Sequence, residues 1–127
     1  MGLTAAQIGE QLAKGVEQEA KALVLDIARN LRVKPPEGTP VQTGHARRNW
    51  IPSAGEPHSG VVGNDDAAFE QGLAAVLAYH LGDGPLWVSN SVDYIRALNY
   101  GSSKQSPAGF VERAVDLALA KAQARQG

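Results

Sequence analysis

Along the first third of the chain, Ile8, Leu12, Val16, Ala20, Leu23, Ile27 and Leu31 recur at steps of four, four, four, three, four and four. That spacing is the apolar stripe of an amphipathic helix, and Glu10, Lys14, Glu17, Lys21 and Arg29 fall on its polar side. Thr4 is suited to cap its start, and Pro35-Pro36 stop it near Val33, because proline lacks the backbone donor and restricts the residue before it. Such a helix is roughly 40 Å long at 1.5 Å per residue, about the width of a domain of this size. Either part of its stripe lies beyond the chain's own core, or the helix packs along one sheet face and frays at its ends. Gly9 and Gly15 weaken its first half by about 1 kcal/mol each relative to Ala.

The stretch from Lys34 to Val41 is turn chemistry, after which Thr43 can cap a short turn through Gly44 to Arg48. Trp50 to Ala54 reads as a strand that Pro52 confines to a sheet edge, and Gly55 to Asn64 as a surface loop. Asp65 and Asp66 sit where carboxylates favour a helix start; Phe69, Leu73, Val76, Leu77 and His80 then predict a helix to about Leu81. Beyond the turn Gly82 to Pro85, Leu86 to Asn90 is the best strand candidate, expected in the sheet centre. Val92 to Tyr100 predicts a short helix with Tyr94, Ile95 and Leu98 inward, closed by Gly101 in a left-handed cap. A polar loop, Ser102 to Ser106, leads to Pro107 at the first position of a last helix running to about Ala124. Its inward stripe is Phe110, Ala114, Leu117, Ala118 and Lys121, flanked by Val111 and Val115. The fold class is therefore α+β: a small, mainly antiparallel sheet of three or four strands against a long N-terminal helix and a C-terminal helix. Trp50 and Trp87, on the two strand candidates, are both expected to be buried.

At 127 residues the chain is one domain's worth, the first helix over 1–33 and an α+β core over 34–127. A hydrophobic fraction of 43% with 20% charged residues argues for a folded chain over a disordered one. A net charge of -1 gives no electrostatic footprint for nucleic acid or anionic lipid. The absence of cysteine excludes disulfides, thiolate metal sites and cysteine nucleophiles. No window approaches the ~20 apolar residues of a membrane span, and Met1 to Gln11 lacks a signal-peptide pattern, so a soluble intracellular protein is expected. His45, His58 and His80 fall on three separate elements, no glycine run is followed by the Lys and Ser or Thr of a phosphate loop, and no serine sits in a GxSxG elbow. Arg47 and Arg48 beside Trp50 could contact phosphate, but a basic pair in a neutral chain more often forms salt bridges. No metal, cofactor or catalytic residue is indicated, and an enzyme is not expected.

Two segments carry more. Pro40-Val41-Gln42-Thr43-Gly44-His45-Ala46-Arg47-Arg48-Asn49-Trp50 resembles the P-V-D-T-G-x-x-R-x-x-W segment of the HK97 gp10-like tailed-phage proteins, also called neck or tail-completion proteins. Farther on, the run from Trp87-Val88-Ser89-Asn90 through Asn99-Tyr100-Gly101 to Pro107-Ala108-Gly109-Phe110-Val111 resembles that family's (I/V)-S-N-x-x-P-Y-x-x-x-L-E-Y-G-x-S-x-Q-A-P-x-G-M-V. The similarity spans about residues 35 to 115. It departs from the family at Gln42 and Asn99, where carboxylates are usual, at Asp93 for Pro and at Phe110 for Met.

The resemblance implies a virion structural protein at the neck or tail end of a tailed bacteriophage. Such a protein joins heads to tails as a hexameric or twelvefold homo-oligomeric ring beside other neck or tail proteins, after assembly in the host cytoplasm. No membrane and no specific nucleic-acid ligand are expected. Candidate contacts with subunits or partners are Ile8, Leu12, Val16, Arg47, Arg48, Asn99, Tyr100, Ser102, Ser103, Lys104 and Gln105. Thr43, Gly44, Trp50, Trp87, Asn90, Tyr94, Gly101, Pro107 and Gly109 read as fold-keeping motif residues. The competing readings are a small non-enzymatic binding domain of host or prophage origin and a tail-terminator-like minor tail protein.

Overall fold

The computed structural model describes residues 2–33, 38–39, 45–63, 66–101 and 108–126. Its elements are α1 (Ala5–Arg32), α2 (His45–Arg48), β1 (Ile51–Ala54), α3 (Ala67–Leu77), β2 (Leu86–Ser89), α4 (Ile95–Asn99) and α5 (Phe110–Gln126). The architecture is α+β, with a two-stranded antiparallel sheet against which α1 and α5 pack.

Helix α1 begins in a capping box: the Gln7 amide donates to Thr4 Oγ1 at 3.1 Å, and the Thr4 amide to Gln7 Oε1 at 2.9 Å. Its far end is fixed from outside the helix. The Leu31 carbonyl, one of the orphan acceptors of the last turn, receives the Thr39 hydroxyl at 2.6 Å and the Thr39 amide at 3.2 Å. Thr39 Oγ1 in turn accepts the Trp50 indole N–H at 2.7 Å, so the indole is both buried and satisfied. Around this chain of bonds, Leu31, Trp50, Phe110 and Ala114 form the core, with Ile27, Val88, Ile95, Leu98 and Val111 packed against it.

Arg32, one residue on, ties α2 and the start of α3 to the same helix end. Its guanidinium donates to the Arg48 carbonyl at 3.1 Å and to Asp66 Oδ1 at 2.6 Å, and stacks 3.8 Å over the Phe69 ring. Asp66 stands at the start of α3 as expected, its carbonyl accepting the Glu70 amide at 2.9 Å, and its side chain serves Arg32 instead of capping the helix. Strands β1 and β2 pair with Ile51 opposite Ser89 and Ser53 opposite Trp87. Beside β1, Gly72 of α3 lies against the Pro52 carbonyl, where any Cβ would collide. Helix α5 runs antiparallel to α1. Asn30 Nδ2 donates to the Ala114 carbonyl at one end of the contact, and Arg125 meets Glu19 and Asp26 at the other. Buried Asp26 also has Lys121 at 3.5 Å and Arg29 at 3.9 Å.

Several expectations need correction. Among the described residues the sheet has two strands, so β2 is an edge and not the centre. Trp87 is 39% exposed: register places it with Ser53 on the face opposite core-facing Val88, and its indole N–H reaches the Gly55 carbonyl at the rim. Tyr94 stands before α4 instead of inside it and is exposed, whereas Ile95 and Leu98 point inward as expected. Helix α3 stops at Leu77, because Glu17 and Lys21 of α1 take up the backbone groups of the turn after it. Leu77 and Leu117 are exposed. Thr43, Gly44, Asp65 and Pro107 lie outside the described residues.

Replacing Thr39 with Val keeps the volume and removes the hydroxyl. The buried indole N–H then lacks an acceptor, which costs about 1–3 kcal/mol. Chemical denaturation followed by Trp fluorescence is expected to show a lower midpoint with an unchanged slope, and an unchanged midpoint would contradict the bridging role.

Candidate functional site

Among the described residues, Glu17 is the first side chain of α1 with a polar partner beyond the helix and its own cap. Residues 5–16 therefore project as an arm of about 18 Å. On this arm Ile8, Leu12 and Val16 are 46%, 66% and 56% exposed. At about 100° per residue they fall within ~40° of one line along the helix. Where the arm meets the end of α5, Leu12, Gly15, Val16, Leu23, Leu119 and Ala122 line an open, mainly apolar groove of about 680 Å³. The three residues that the helical stripe nominated are thus brought together on one face.

The base of the arm is held by polar contacts. Glu17 accepts the Leu81 amide at 2.7 Å and lies 3.5 Å from His80 Nδ1 and 3.8 Å from Lys21 Nζ, while Lys21 donates to the Leu77 carbonyl at 2.7 Å. The Leu81 N–H above all, with help from Lys21 and His80, holds the Glu17 carboxyl below the ordinary value of 4.5. On the α5 side, hydrogen bonds to Glu19 and Asp26 raise the Arg125 guanidinium further above its already high value.

The remaining candidates are dispersed. Arg47 and Arg48 sit half-buried on the single turn of α2. Asn99, a nominated contact residue, is instead consumed within the fold. Its Oδ1 accepts the Val111 amide at 2.9 Å, Nδ2 donates to both Glu112 oxygens, and its carbonyl takes the Gly109 amide at 2.7 Å. The Asn99 side chain thus holds the first turn of α5, and the Glu112 carboxyl is kept below its ordinary range first by its own backbone N–H and then by the Asn99 amide. A carboxylate at position 99 would face Glu112 and be repelled by it. Tyr100 is 77% exposed and open to a partner. Ser102, Ser103, Lys104 and Gln105 lie outside the described residues.

Among the motif residues, Asn90 accepts the Val92 amide and donates to the Ala46 carbonyl, tying α2 to the end of β2. Gly101 and Gly109 have φ of +100° and +82°, the region that favours glycine. Sequence reasoning missed Thr39, Arg32 and Asn49. Asn49 exchanges hydrogen bonds with the Val62 backbone and so fixes the 55–63 loop; the local sequence around each carries no signal of such distant partners.

Among the described residues no group of three His, Cys, Asp or Glu side chains is placed to hold a metal ion, and no helix is long and apolar enough to cross a membrane. Comparison with protein-family models, with curated proteins and with solved structures found no match.

Two outcomes follow. A carboxyl whose value is lowered by folding stabilises the fold above its unfolded value, and that contribution is lost as pH falls through the folded value. The melting temperature is therefore expected to drop below about pH 4.5, and Glu17→Gln to flatten part of that drop, as read by circular dichroism. An unaltered acid limb in Glu17→Gln would discount the Glu17–Leu81 contact. At Gly101, a Val would be strained by about 1–3 kcal/mol and crowd Ala108, whose Cβ lies 3.3 Å from the position a Cβ would take. Gly101→Val should melt lower than wild type, and equal melting would remove the cap argument.

Proposed function

We propose that this chain is a structural protein of a tailed bacteriophage that acts at the head–tail neck or tail end as a tail-completion or joining protein. The observation that carries the reading is the pair of segments around Thr43-Gly44…Trp50 and Ser89-Asn90…Tyr100-Gly101, in the order and spacing of the HK97 gp10-like family. The exposed arm supports the class of activity: assembly needs surfaces, and the arm offers an apolar line and a groove on one side of a small domain. The mechanism is ring formation, in which heterologous contacts between protomers close into a hexameric or twelvefold ring. The arm and the exposed Tyr100 meet neighbouring subunits or neck and tail proteins there. Such contacts are individually weak and close cooperatively on a template that raises the effective concentration of protomers.

The test is a phage carrying this gene with residues 1–16 deleted. The domain beyond the arm keeps its core contacts and should fold, while filled heads and tails accumulate separately in lysates. Normal yields of infectious particles that have incorporated the truncated protein would overturn the proposal.

A further inference from the structure

We infer that a second copy of this chain pairs with the free edge of β2, the two β2 strands running antiparallel about a two-fold axis at Trp87. The ladder decides which backbone groups are free. The Gly55 amide donates to the Pro85 carbonyl at 2.8 Å, so the hydrogen-bonded pairs of β1 and β2 are Gly55–Pro85 and, at steps of two, Ser53–Trp87 and Ile51–Ser89. The pairs between them, Pro52–Val88 and Ala54–Leu86, turn their backbone groups away from the opposite strand. On the β1 side Pro52 has no N–H to satisfy, and Gly72 of α3 is packed against its carbonyl. On the β2 side the N–H and C=O groups of Leu86 and Val88 lie along an edge where no described residue bonds them. Leu86 to Ser89 holds no charge and no proline, and its register with β1 is regular, so nothing in the strand blocks this template.

Self-complementarity argues for a second copy as the occupant. With the axis at Trp87, Leu86 of each copy stands opposite Val88 of the other as a hydrogen-bonded pair, and every free group just named finds its counterpart. An axis at Leu86 or at Val88 would set one of them against a residue beyond the strand. The axis at Trp87 also places the two Trp87 side chains opposite each other as a non-hydrogen-bonded pair, the closer kind, with Cβ atoms about 4.5–5.5 Å apart. Trp87 is 39% exposed on the outer face of the sheet and its N–H is already taken by the Gly55 carbonyl, so it offers an apolar ring. Pairing makes β2 an inner strand of a continuous four-stranded sheet, the environment that the unbroken run Leu86-Trp87-Val88 fits.

An isologous pair of this kind is closed. The inference does not depend on the phage reading or on the arm, since it concerns the purified chain and a different surface.

The contact is short, so sedimentation equilibrium from micromolar to near-millimolar concentration should show a weak, reversible monomer–dimer equilibrium. Over the same range, residue-resolved amide exchange by NMR should show added protection at Leu86 and Val88 and none at Trp87, whose amide already bonds within the ladder. Trp87→Lys, which sets like charges opposite each other on the solvent face, should keep the circular dichroism of the fold and weaken dimerisation at least roughly tenfold. In this cysteine-free chain Trp87→Cys should oxidise to a covalent dimer. Ser53→Cys, on the same face but roughly 14 Å from its counterpart across the paired strands, should not. A wild type that stays monomeric throughout, which would leave the edge to an extended segment of another protein, would overturn the inference. So would a dimer without added protection at Leu86 and Val88, a Trp87→Lys variant that dimerises as well as wild type, or equal cross-linking at positions 53 and 87.

Discussion

The buried bond chain from the Trp50 indole through the Thr39 hydroxyl to the Leu31 carbonyl sets the position of the longest element in the molecule. A helix of 28 residues has little tertiary information along its own axis, and sliding by a turn would preserve most of its apolar stripe. What prevents sliding is the capture of its last turn: Leu31 O by Thr39, and Arg32 by the Arg48 carbonyl, Asp66 and the Phe69 ring. With that end fixed, Asn30 sets the height of α5 through the Ala114 carbonyl. Among the described residues α5 reaches back along α1 to Glu19, and the first turns of α1 run past it. The arm is thus a consequence of where the other end is held.

The polar side chains that might have built a pocket are spent on the backbone. Asn49 holds the 55–63 loop, Asn90 joins α2 to the end of β2, and Asn99 secures the start of α5. Among the described residues no buried side-chain nitrogen or oxygen is left without a partner. These are architectural uses, and they leave chemical potential for partners on the surface: apolar residues along the arm, the groove at its base and an exposed tyrosine.

Much of the fold was legible. Thr4 and Gln7 give a local capping signal, the stripe to Leu31 has helical spacing, and Gly101 follows a short helical run; each of these is decided by neighbours within a few residues. The bare arm was only half legible: the length of α1 left open whether part of its stripe runs beyond the core or lies along one sheet face. Trp87 was misread because Leu86-Trp87-Val88 is an unbroken apolar run: only the pairing with β1 decides which face its middle residue takes. The end of α3 was misread because Glu17 and Lys21, some sixty positions earlier, stop it. Asn99 looked like surface because both its partners lie across a connection, on the next helix. In each case the deciding contact is distant in sequence.

The central claim is that α1 is one helix with two mechanical halves, anchored beyond Glu17 and unsupported before it. Amide hydrogen exchange resolved along α1 tests this most directly. Protection should be high from about Glu19 to Leu31 and fall steeply toward Ala5, with the step near Glu17. Uniform protection along the whole of α1 would contradict the account.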